Sequence, residues 1–166
     1  MTPETALSET VDVLAAQAER FSDTPSSAPW LVIASVLAAQ QAATLALRAA
    51  GDSIPAQAGA TELLLRAASK DRLPVPFTLP FGAQARQSFE GLVEARNQFM
   101  HPRGQIWQIS DAPLWRGVRV AARTVRHLIL TQPVLEDLVA PNQQNLIRSD
   151  LQTLDLIADF YDDPHA

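Results

Sequence analysis

The stretch from Trp30 to Ala50, WLVIASVLAAQQAATLALRAA, is apolar on nearly every side of a helical wheel and stops at Gly51. A helix greasy all round belongs in the middle of a bundle or at a subunit interface. It is long enough to raise the question of a membrane span, but Gln40 and Gln41 sit at its centre and much of it is Ala rather than Leu or Ile. A buried bundle helix is the better account.

On either side the pattern stays helical. Val11, Leu14, Ala15, Ala18 and Phe21 recur at helical spacing and predict a helix over 5–21, with Thr2 or Thr5 near its start and Pro25, Ser26, Ser27 and Pro29 as the break that follows. A short helix is expected over 61–70. Pro74, Pro76 and Pro80 then forbid helix and favour an extended loop, whose apolar residues predict that it packs down. A fourth helix over 83–100 carries Phe89, Leu92, Val93 and Met100 as its apolar stripe and ends at His101, which precedes Pro102. Residues 103–112 read as a connecting loop. A fifth helix follows with Pro113 in its first turn and Asp111 as its cap, to 130 or 131. A last amphipathic helix spans 143–161. The expectation is an all-α bundle of about five to six helices in one domain over 1–166, with 133–166 a C-terminal extension or the last bundle helix.

Composition agrees. The 166 residues are 47% hydrophobic, 19% charged and 6% aromatic, enough chain for one core. There is no cysteine, hence no disulfide or thiolate metal site. The N-terminal residues Met1 to Glu4 lack the basic stretch and apolar run of a signal peptide, which predicts a cytoplasmic protein. The net charge of −5 argues against a chain that coats nucleic acid non-specifically. Its distribution is uneven: residues 86–126 carry seven Lys/Arg against three Asp/Glu, and residues 127–166 one against seven.

Within the fourth helix Arg96 lies about 20° from Phe89 on an ideal wheel, between Leu92 and Val93 and over Met100. A permanent cation in an apolar stripe needs compensation: an acidic partner, carbonyl groups, a second subunit, or a cleft open to an anion. Asn97 and His101 are four apart on one flank, so the amide can orient the imidazole. Arg96 and His101 are five apart, about 140° around the helix, and the stop at Pro102 gives His101 freedom to swing toward the cleft.

The segment Glu94-Ala95-Arg96-Asn97-Gln98-Phe99-Met100-His101-Pro102 resembles the Arg-x4-6-His signature of the HEPN superfamily, with the Asn commonly found after the arginine. The Ala39-Gln40-Gln41-Ala42-Ala43 run looks like that family's first long helix, and the resemblance covers about residues 5–132. It implies a HEPN-like bundle, dimeric through helices near the motif so that two Arg/His pairs line one cleft. It also implies metal-independent endoribonuclease activity, as in toxins of toxin-antitoxin pairs and other defence effectors. His101 would be general acid or base, Arg96 the stabiliser of phosphorane charge and Asn97 an orienting residue. No cofactor and no metal are expected.

Other readings stand beside this one. Arg96 pairs with a carboxylate such as Glu62 or Asp155 across the bundle, or His101 merely caps the helix dipole. The family also contains non-catalytic bundles, so the alternative function is a protein-interaction module, with an antitoxin or other protein as partner and the acidic C-terminal helix as its surface. On helix five, Arg116, Arg119, Arg123 and Arg126 fall within about 80° of one another. They form either a solvated face or an anion-binding stripe for an RNA backbone, with Arg103 joining the same surface. His127 reads as a surface histidine at the stripe's margin and His165 as part of a frayed tail. No aromatic cluster suited to a small-ligand pocket is visible.

Overall fold

Residues 1–69, 71–78, 82–101 and 109–162 are described by the computed structural model. They form six α-helices and, among the described residues, no strand. The helices are α1 (Pro3–Asp23), α2 (Ala28–Ala49), α3 (Ala60–Ala67), α4 (Gly82–Met100), α5 (Asp111–Leu130) and α6 (Pro141–Asp162).

Local chemistry sets the boundaries. Pro3 opens α1, and the Thr2 side chain accepts the Thr5 N–H at 3.3 Å. At the other end of the α1–α2 hairpin, Gly51 adopts φ 81°, its N–H reaching Arg48 O at 2.9 Å and the Asp52 N–H reaching Leu47 O at 2.9 Å. This paired closure satisfies carbonyls the helix end would orphan, and its left-handed residue favours glycine. Asp52 then anchors the α2–α3 connection, taking Arg66 on both oxygens at 2.6 and 2.9 Å and Arg72 at 3.1 Å. The Arg66 guanidinium, opposed by burial, holds that carboxyl below its ordinary value. The N-cap of α5 is Ser110, with Asp111 inside the first turn where its charge favours the helix dipole; the expected Asp111 cap is corrected by one residue.

Helices α1, α2, α5 and α6 close a ring in which each packs on the next, while α4 lies against α2 and α5, and α3 against α2. Gln143 donates to Thr5 Oγ1 at 3.3 Å and Tyr161 to Ser22 Oγ at 3.3 Å, so α6 runs parallel to α1 along its whole length. Ile147, Leu151, Leu154 and Ala158 of α6 are buried, which makes it a full wall of the bundle. One end of the ring is sealed by aromatic rings: Trp115 stacks on Tyr161 with centroids 4.8 Å apart, and Phe21 meets Trp115 edge-on at 5.5 Å. The sequence showed no such cluster because its members stand on three different helices.

Helix α2 is the core element its composition requires. It is long and apolar enough to cross a membrane by length and composition, yet 67% of the qualifying window is buried inside the bundle. The α4–α5 approach is close at Gly117, where a Cβ would lie 2.5 Å from Leu92 Cγ. The described part of the proline-rich segment, residues 71–78, packs down as expected, with Leu73 and Phe77 buried, while Leu79, Pro80 and Phe81 lie outside the described residues. Gln132, itself buried, binds the Val75 backbone on both sides: Val75 N–H donates to Oε1 at 3.1 Å and Nε2 donates to Val75 O at 2.7 Å.

Candidate functional site

Helix α4 buries Ala85, Phe89, Leu92 and Ala95. Its apolar seam is therefore centred on those positions, and Met100, expected within it, is 60% exposed. Giving the two alanines their due weight rotates the buried face away from Met100 and leaves Arg96 at its edge, half-buried. The cation is not sunk in the core, and its desolvation cost falls accordingly.

The guanidinium is nevertheless fixed. Arg96 donates from Nε at 3.2 Å and from Nη2 at 2.8 Å to Asn97 Oδ1. Asn97 thus spends its carbonyl on Arg96 and not on the imidazole it was expected to orient. Among the described residues no carboxylate pairs with Arg96; Asp155, one expected partner, is bound by Arg126 instead at 2.7 Å. A neutral amide leaves the positive charge uncompensated and keeps the remaining N–H groups of the fork open.

His101 follows at the end of α4 and is exposed. Its N–H still reaches Asn97 O at 3.0 Å. Helical register therefore extends to His101, and the angle of about 140° between it and Arg96 persists. The two side chains leave the helix in different directions. Both sit within the last two turns of the helix. Arg103, expected beside the motif, lies outside the described residues, as do Pro102 and most of the connecting loop; His165 does too.

The arginine stripe on α5 is divided. Arg119 donates to Asp159 at 2.6 Å, and Arg126 meets Asp155 at 2.7 Å. Arg123 is half-buried, whereas Arg116 is exposed beside a cavity of about 310 Å³ lined by Gln84, Gln87, Ser88, Gly91, Ile109 and Pro113. The carboxylates on α6 are four apart and meet arginines seven apart on an antiparallel neighbour. Charge segregation between 86–126 and 127–166 was the visible signal for this pairing.

His127 is not a surface histidine. It is half-buried beneath the proline-rich segment, its ring 5.0 Å from that of Phe77, with Nε2 3.1 Å from Gln132 Nε2. Burial pushes its imidazole below the ordinary value, opposed by the Val75 backbone. Because Val75 fixes the Gln132 amide, that amide presents an N–H to His127 Nε2, which accepts it when neutral. No group of three or more His, Cys, Asp or Glu suited to a metal ion occurs among the described residues.

No family model, no curated protein and no solved structure matches the chain.

Proposed function

We propose that this bundle is a HEPN-type, metal-independent endoribonuclease whose site is the C-terminal end of α4. The observation that carries the reading is the Arg96 guanidinium, held by a neutral amide and lacking a carboxylate partner among the described residues. A guanidinium with no carboxylate on it can take two phosphate oxygens through its remaining N–H groups.

In this reading His101 takes the proton of a ribose 2′-hydroxyl as that oxygen bonds to phosphorus. The P–O5′ bond breaks, leaving a 2′,3′-cyclic phosphate, and the 5′-oxygen leaves with a proton from a general acid. Arg96 stabilises the charge on the non-bridging oxygens, and Asn97 is its positioning residue. Toxin or defence effector is the biological class that goes with such an activity.

A non-catalytic protein-interaction module is the second reading, favoured by the engagement of Arg119 and Arg126 with α6, which removes two cations from any RNA surface. Incubation of the purified chain with single-stranded RNA in EDTA, followed by end-group analysis, separates the two. Cyclic phosphate ends made by the wild type and lost in His101→Ala support the enzyme. Equal cleavage by both, or by neither, removes the enzyme reading under those conditions.

A further inference from the structure

From Trp30 to Arg48, every residue of α2 is buried except Trp30, Ile33, Leu37, Gln40, Gln41, Thr44 and Arg48. These form one stripe. Positions 30, 33, 37, 40 and 44 step by three and four alternately, the spacing of a helix seam that packs against another helix. A stripe facing only water would carry charge, but this one has none before Arg48 and exposes Trp30 by 63% and Leu37 by 41%. Two adjoining grooves share Leu37 and Gln41 and run along it: one of about 350 Å³ walled on the α1 side by Ala6, Glu9, Thr10 and Val13, the other of about 220 Å³ reaching Arg48. Val13 on that wall is itself exposed.

We propose that this stripe is the docking face for a second copy of the chain, with the two α2 helices antiparallel across a two-fold axis near residue 39. Self-complementarity selects this occupant. A carboxamide is both donor and acceptor, so the Gln40 amides on the two sides of the axis can bond each other, as an isologous interface allows. The axis sets Leu37 opposite Gln41 and Trp30 opposite Arg48. Arg48, the stripe's single charge, thereby gains an aromatic face instead of meeting its own copy. Elsewhere a chain of net charge −5 repels itself, while an uncharged stripe does not. The stripe is about 27 Å long at 1.5 Å per residue. With the α1 wall it offers roughly 500 Å² per copy, the low end of specific interfaces. The inference does not rest on the ribonuclease reading, because α4 takes no part in the stripe.

Sedimentation velocity of the full chain from about 5 to 500 μM tests it. The expected mass rises from monomer to dimer across that range, while Leu37→Glu stays monomeric at every concentration with unchanged helicity and melting temperature. Gln40→Cys, close to the axis in a chain without cysteine, gives a disulfide-linked dimer under mild oxidation, and Leu156→Cys on the exposed side of α6 does not. A wild type monomeric at 500 μM overturns the proposal, as does equal cross-linking of both cysteines. So does a monomer that co-sediments with neutral phosphatidylcholine vesicles, which would make the stripe a lipid face.

Discussion

Arg96 and Asn97, adjacent in sequence, are joined side chain to side chain, with the guanidinium of one closed on the amide oxygen of the other at 2.8 and 3.2 Å. An amide can fix the direction of a cation without cancelling its charge. Asn97→Ala therefore leaves the charge and removes the fixing. RNA cleavage should fall about 10- to 100-fold, with Asn97→Asp falling further because a carboxylate neutralises Arg96. Rates on a defined RNA with thermal melts unchanged check this; a full-rate Asn97→Asp contradicts it.

The α5–α6 wall is held partly by charge. Asp155→Asn and Asp159→Asn should each cost about 0.2–1 kcal/mol, less at high salt. The double variant also removes a carboxylate from each of Arg119 and Arg126. If the stripe touches RNA, affinity rises at low salt, with a steeper salt dependence; RNA titrations at several salt concentrations read the change, and unaltered affinity removes these two arginines from the RNA surface.

Acid should loosen the proline-rich segment. The folded-state pKa of His127 lies below its unfolded value, so the unfolded chain binds the extra proton more readily. The stability held by the neutral ring is complete well above pH 6.5 and declines as pH falls through that ordinary value toward the lower folded one. A protonated ring also sets donor against donor at Gln132 Nε2. Thermal melts from pH 7.5 to 5.5 should fall less steeply for His127→Phe than for the wild type, and Gln132→Ala should cost about 1–3 kcal/mol at neutral pH.

Asp150 carries the opposite strain. Burial, with the nearby Asp12 and Glu19 charges adding to it, raises its pKa above the ordinary carboxylate value. Its ionisation opposes folding once pH exceeds the unfolded value, so Asp150→Asn should melt higher than the wild type at pH 7 and lose that advantage near pH 3. Melts at the two pH values decide it.

Most of the fold was legible because helical periodicity and proline breaks are local. The α2 stretch declared a core helix, and the α1–α2 break and the packed proline-rich segment followed from turn chemistry. Errors arose where a single helix was judged without its neighbours. Arg96 falls mid-seam only when Met100 counts as buried and Ala95 as neutral. His127 looks exposed from its own helix alone, although residues about fifty positions earlier cover it. The stack of Trp115 on Tyr161 and the hold of Arg126 on Asp155 join helices whose pairing no one-dimensional pattern specifies.

The central claim is that Arg96 and His101 act together on RNA. Single-turnover cleavage in EDTA by the wild type, His101→Ala, Arg96→Ala and Arg96→Lys measures it directly. Both alanine variants should lose at least about 100-fold. Arg96→Lys should recover only part, because a point charge cannot replace the fork. Cleavage that persists at the wild-type rate in all four, or is absent from the wild type itself, would contradict it.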